Sequence, residues 1–303
     1  MNLDNSIGLH IYAISQHKTR KPKKIKFSDS GDGARLLKAT PHFIKKYKSA
    51  EHDEGETPRP WYLVPEAQNG GTFEGSIMYG SSGFATDIVD RETRSTQYKR
   101  KTSDIEIFPL YYRLWVPKDG EYALLALQTF GQRSCVGRFQ TALEAGFRQT
   151  NSGYRIVFNP VAPGEIASYQ AAEVKKLSLT KRDYSSDAAE NQLGDPGALV
   201  DLGVSFSAKP RSHLGKLMNF ANRVKPSEGG SVLQYNDTQF DEATAEIMVG
   251  GKRRTITLVG ISRNTGKFDL TEQVQRGPNG MPKFASISSE TNSIFADIAA
   301  GKA

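Results

Sequence analysis

The chain has 303 residues, 37% hydrophobic and 10% aromatic, which is ordinary for a globular protein and enough for one large or two medium cores. No apolar run approaches the roughly 18 residues of a membrane span, the first residues carry no secretory signature, and Cys135 is the single cysteine, so an internal disulfide is excluded and a reducing, cytoplasmic setting is expected. Net charge is +7, yet the first fifty residues hold 11 Lys or Arg against Asp4, Asp29 and Asp32, a balance of +8 that leaves the remainder near −1. The basic excess is local, the footprint of one anion-binding surface.

Residues 7–15, dense in β-branched and aromatic side chains, predict a strand buried on both faces. Lys24-Ile25-Lys26-Phe27 alternates polar and apolar and predicts a second strand pairing back, so that HKTRKPKKIKF becomes the tip of a basic hairpin. Asp32 and Thr40-Pro41 carry helix-start chemistry and predict a short helix over 41–49. The acidic, Pro-containing segment 51–60 reads as a linker. Strands follow at 61–64 and 73–80, then a polar stretch over 90–104.

Two apolar runs, 105–116 and 122–130, flank Pro117-Lys118-Asp119-Gly120 and predict a central hairpin. Val136, Phe139, Leu143 and Phe147 recur at helical spacing and predict a helix over 134–149. Strands are expected at 154–158 and 173–179. The small, polar segment 185–197 marks a boundary between a domain over 1–184 and another over 198–303. Beyond it come a strand (199–207), a helix (214–224), a hairpin turning at Gly250-Gly251 and a terminal helix over 282–299. Strands and helices without regular alternation imply the α+β class: mixed, largely antiparallel sheets built from hairpins, with helices packed on one face.

The candidate site is the hairpin tip, where Lys18, Arg20, Lys21, Lys23, Lys24 and Lys26 put six cations into nine positions. Such a cluster contacts phosphate oxygens and releases counterions, and its preference for Lys suits diffuse contact better than base reading. The competing readings are a solvated loop and an import signal. Arg94, Lys99, Arg100 and Lys101, with Arg91 and a stacking Tyr98, form a second cluster, and Lys252-Arg253-Arg254 a third. Both are expected to extend the same surface. The junction Gly131–Gly137 turns from strand to helix, where Arg133 and Ser134 would offer donors to an anion.

Catalytic patterns are weak. Five histidines and one cysteine lack metal-ligand spacing, so no metal or cofactor is expected. Glu173-Val174-Lys175 imitates half of a nuclease motif without its aspartate. Arg35 and His42 have the spacing of a ribonuclease motif, but Pro41 is expected to interrupt the helix that would display them. Cys135, at a helix start, reads as packed more than nucleophilic. The expected function is intracellular nucleic-acid binding, to DNA or RNA, through the phosphate backbone. The alternatives are a nucleic-acid-processing enzyme and an adaptor subunit of a larger assembly. Exposed strand edges call for homodimerisation or a protein partner, and no membrane association is expected.

Overall fold

The computed structural model describes residues 5–20, 23–48, 60–163, 166–184, 200–223, 234–235, 238–259 and 267–300. They fall into two compact units, Met1–Asn159 and Pro160–Ala303. The segment 185–197, read as the domain boundary, and most of the linker at 51–60 lie outside the described residues.

In the first unit, β1 (Ile7–Lys18) is followed by the short strands β2 (Lys24–Ile25) and β3 (Phe27–Ser28), then α1 (Arg35–Tyr47). Strands β4 (Trp61–Asn69) and β5 (Thr72–Ser81) form a hairpin through Gly70 and Gly71, whose φ values of 55° and 83° suit a turn that side chains resist. Next come β6 (Thr86–Val89), β7 (Thr96–Arg100), β8 (Glu106–Trp115), β9 (Asp119–Gly120), β10 (Ala123–Phe130) and β11 (Arg133–Ser134). Helix α2 (Val136–Thr150) and strand β12 (Tyr154–Pro160) complete it. The sheet runs β1-β10-β8-β5-β4, with β2 and β12 on β1 and β11 on β10. All eight residues of β10 are buried, which explains its unbroken apolar run.

An aromatic cluster holds the two helices to this sheet. Phe139 of α2 lies with its ring 5.3 Å from Phe43 of α1, 5.6 Å from Tyr112 of β8 and 6.4 Å from Trp61 of β4. Tyr47 stacks on Trp61 at 4.7 Å. These contacts are the favoured offset and edge arrangements of large rings.

Helix α1 starts earlier than the sequence implies and runs through Pro41. Its N-terminus is capped from afar: the buried Gln16 of β1 accepts from the Leu36 amide at 3.1 Å and donates to the Gly33 carbonyl at 3.1 Å. With the start supplied by β1, Thr40 is no cap; it sits buried mid-helix and donates back to the Leu36 carbonyl.

The second unit contains α3 (Ala167–Gln170), β13 (Val174–Tyr184), β14 (Val200–Ser207), α4 (Leu217–Arg223) and the small pair β15 (Gln234–Tyr235) and β16 (Thr238–Gln239). It continues with β17 (Glu242–Val249), β18 (Lys252–Val259), β19 (Lys267–Asp269) and α5 (Phe284–Ala300). Its strands follow the order β14-β13-β17-β18-β19. β17 and β18 turn at Gly250-Gly251 as expected, with φ of 56° and 77°. The terminal helix buries Ile287, Thr291, Ile294, Phe295 and Ile298, the face its spacing implied.

The expected α+β class does not hold. Antiparallel strand dominates the described chain, and the fold is β-rich, with helix a minor component in place of a helical layer. Segments read as loops supply much of the excess. The polar stretch after residue 90 contains β7, paired with β6, and the turn at 117–120 contains β9, paired with β3. Polar strands escape a reading built on apolar runs.

Candidate nucleic-acid interface

The basic stretch does fold as a hairpin. Gln16 pairs with Ile25 and His17 with Lys24, and the Lys18 amide donates to the Lys23 carbonyl at 3.1 Å to close the turn. Lys21 lies outside the described residues. Arg20 and Lys23 are exposed, and among the described residues neither side chain has an anionic partner. Lys24 and Lys26 converge on Glu121 at 3.0 and 3.1 Å, and the hydrogen bonds they donate hold its carboxyl below the usual range.

Beneath the tip, residues far apart in sequence form a rigid base. Asp32 accepts from Arg35 at 2.6 Å through one carboxylate oxygen and from the Tyr154 hydroxyl at 2.8 Å through the other, with Lys18 Nζ at 3.6 Å. The Arg35 guanidinium lies 3.8 Å from the centre of the Tyr154 ring and also donates to Asn151 Oδ1 at 3.3 Å. The hydrogen bonds from Arg35 and then Tyr154 hold the Asp32 carboxyl below its ordinary value. A backbone hydrogen bond from Thr19 to the Gly153 carbonyl, 2.9 Å, ties the hairpin to the entry of β12. Gly33 is required here, because a Cβ would stand 2.6 Å from the Lys26 carbonyl oxygen.

His17, on the same hairpin, contacts Ser15 Oγ at 2.9 Å. Partial burial lowers its pKa, and the positive charges of Arg155 and Lys24 lower it further, so the imidazole is neutral near pH 7. It adds a hydrogen-bonding group to the surface and no charge. Arg155 joins the cationic end without having been visible as part of it.

The second cluster is placed elsewhere. Register locates the basic hairpin at the end of the sheet where Trp115 faces Leu124, and locates β6 and β7 at the other end, beyond the pairing of Ser81 with Glu106. The two ends are about 30 Å apart along β8 at the usual rise per strand residue. Arg100 is not a surface group at all. It is 7% exposed, stacks 3.9 Å from the Phe84 ring and donates to the carbonyls of Ser81 and Asp104 and to Glu106. Arg91, Arg94, Lys99 and Lys101 are exposed at that end.

Arg133 belongs to the same root. It pairs with Glu106 at 3.5 Å and stacks 3.9 Å from the Phe108 ring, while Ser134 Oγ accepts from the Val136 amide at the start of α2. The Arg133 side chain remains 41% exposed and Ser134 is exposed.

The third cluster lies in the second unit. Lys252 pairs with Glu290 at 3.1 Å and Arg253 with Glu246 at 3.3 Å. Arg254, 3% exposed, is held inside by Glu290 and by Ser293 Oγ at 2.8 Å. Burial pushes the Glu290 carboxyl up, and the hydrogen bonds from Arg254 and Lys252 more than reverse this, so it stays ionised.

The other chemical candidates are each buried or in contact with neighbouring groups. Cys135 is buried, and burial pushes its thiol up to about 12 despite its place before α2. Glu173 is exposed and pairs with Lys175 at 2.8 Å and His213 at 3.7 Å. Pro41 does not break α1, so Arg35 and His42 share a helix, but Arg35 is spent on Asp32 and His42 on the Lys38 carbonyl at 3.0 Å. No group of three or more His, Cys, Asp or Glu among the described residues is arranged to hold a metal ion. No helix among them is long and apolar enough to cross a membrane.

Asn151, Tyr154 and Arg155 carry no sequence signal of joining Lys18, Asp32 and Arg35, since the end of α2 and β12 bring them there only in the folded chain. No family model matches the chain, and no curated protein matches it.

Proposed function

We propose that the first unit binds DNA or RNA through the phosphate backbone, in a reducing, cytoplasmic compartment, using the hairpin end of its sheet. The observation that supports this most is the pairing of β1 with β2, which holds Arg20 and Lys23 in solvent and sets Lys18, Lys24 and Lys26 around them on a base fixed by Asp32, Arg35 and Tyr154. The ion pairs already present are no obstacle. Exposed Lys–carboxylate pairs contribute about 0–1 kcal/mol, so a phosphate can displace Glu121 with little loss. Lysines on a hairpin follow phosphates and leave base edges unread, and binding is therefore weakly sequence-dependent.

Fluorescence anisotropy with labelled duplex and single-stranded oligonucleotides tests this. Five cations neutralising phosphates give log K against log salt a slope of about −4 to −5. Arg20→Ala with Lys23→Ala makes that slope shallower by about two. Binding that is absent at low salt, or indifferent to salt, overturns the reading.

A further inference from the structure

The arm formed by β6 and β7 is exposed along nearly its whole length, although it is rigidly built. Its tip is fixed by Asp90, whose carboxylate accepts from the Glu92 and Thr93 amides at 2.9 and 2.7 Å. Its root is fixed by the buried Arg100 and by Asp104, which accepts from the Tyr98 hydroxyl and the Lys101 amide. A two-stranded ribbon is marginal alone in water, and this one is held out by its anchors, not by packing along its strands.

The large apolar side chains exposed on the described chain concentrate here: Phe84, Ile88, Val89, Tyr98, Ile105 and Ile107 all lie on or beside the arm, with Ile88 and Tyr98 paired at 52% and 50% exposure. Exposed apolar side chains gathered in one place mark interaction sites, protein contacts among them. Among the described residues β6 and β7 pair only with each other, so each presents an open edge there. The charges differ between those edges. β7 carries Lys99 and is flanked by Arg94 and Lys101, whereas β6 carries Asp87. Along β7 the side chains alternate, Tyr98 on the face of Ile88 and Lys99 on the other.

We infer that the outer edge of β7 takes up an extended strand of an acidic partner protein, with apolar residues at alternate positions meeting Tyr98 and Ile88 and carboxylates between them meeting Lys99, Lys101 and Arg94. Strand addition satisfies the open backbone groups and covers the apolar face in one step. A second copy of this chain fits poorly, because pairing β7 with β7 sets like charges opposite each other. A nucleic acid satisfies the cations but leaves Ile88, Ile105 and Ile107 in water.

The probe is a fluorescein-labelled dodecapeptide of alternating glutamate and valine, with a lysine-for-glutamate version as control. The acidic peptide binds, and the lysine version binds at least tenfold more weakly. Ile88→Ser weakens the acidic peptide at least tenfold, Lys99→Ala about threefold, and neither changes duplex binding. Unchanged unfolding midpoints confirm that these exposed positions leave the fold intact. Failure of the acidic peptide to bind, or binding indifferent to these substitutions, overturns the inference. So does a loss of oligonucleotide affinity in the same variants, which assigns the arm to nucleic acid, or a fall in solution mass, which assigns it to self-association. The hairpin variants Arg20→Ala and Lys23→Ala leave peptide binding unchanged, so this result and the nucleic-acid result stand or fall separately.

Discussion

Tyr154 donates its hydroxyl to Asp32 at 2.8 Å across 122 positions of sequence, and this bond fixes the base of the basic hairpin. Tyr154→Phe removes the bond and keeps the ring under Arg35. The expected result is faster amide exchange at Lys18 and Thr19 and a several-fold loss of oligonucleotide affinity, with the overall fold retained.

Asp32 also makes stability depend on pH in a defined direction. Its folded-state pKa is depressed, first by the Arg35 hydrogen bond and then by Tyr154, so its contribution is present above the unfolded carboxyl value and is lost as pH falls through the folded one. Asp32→Asn is therefore less stable than the natural chain at neutral pH, and the gap closes in acid. Urea unfolding of both chains at pH 7 and pH 3 measures it, and a constant gap contradicts the assignment.

In the second unit, Arg254 and Glu290 couple β18 to the terminal helix from inside. Removing the carboxylate that faces the buried Arg254 guanidinium strips that charge of its ion-pair partner, so Glu290→Ala costs about 3–5 kcal/mol. Replacing both, Arg254→Met with Glu290→Leu, recovers most of that loss, while the half-exposed Lys252 turns to water. Denaturant titration of the single and double variants separates the two outcomes.

Phe139 joins α2 to α1, β4 and β8 through three ring contacts. Phe139→Ala leaves a cavity at their meeting point and costs about 3–5 kcal/mol. Phe139→Leu, which keeps most of the volume, costs clearly less by thermal or chemical unfolding.

The thiol of Cys135, raised to about 12 by burial, has almost no thiolate at pH 8. Iodoacetamide leaves it unmodified in the native protein and labels it once urea unfolds the chain. Rapid labelling of the native protein contradicts the buried placement.

Periodicity and turn chemistry by themselves determined the strongest local elements of this protein. The hairpin around Pro117–Gly120, the turn at Gly250-Gly251, the terminal helix and the pairing back of Lys24-Ile25 follow from apolar runs, glycines and alternation within a few residues of each other. The concentration of cations before residue 51 was equally plain, because charge is additive along a chain. Tertiary structure alone decided the rest. Helix α1 begins where Gln16 caps it, Arg100 and Arg254 turn inward because Glu106 and Glu290 await them, and two basic clusters that look alike in sequence stand at opposite ends of one sheet. Each outcome depends on a partner many residues away, and the free energy of a buried charge or a capped helix end is set by that partner, not by the residue's own neighbours.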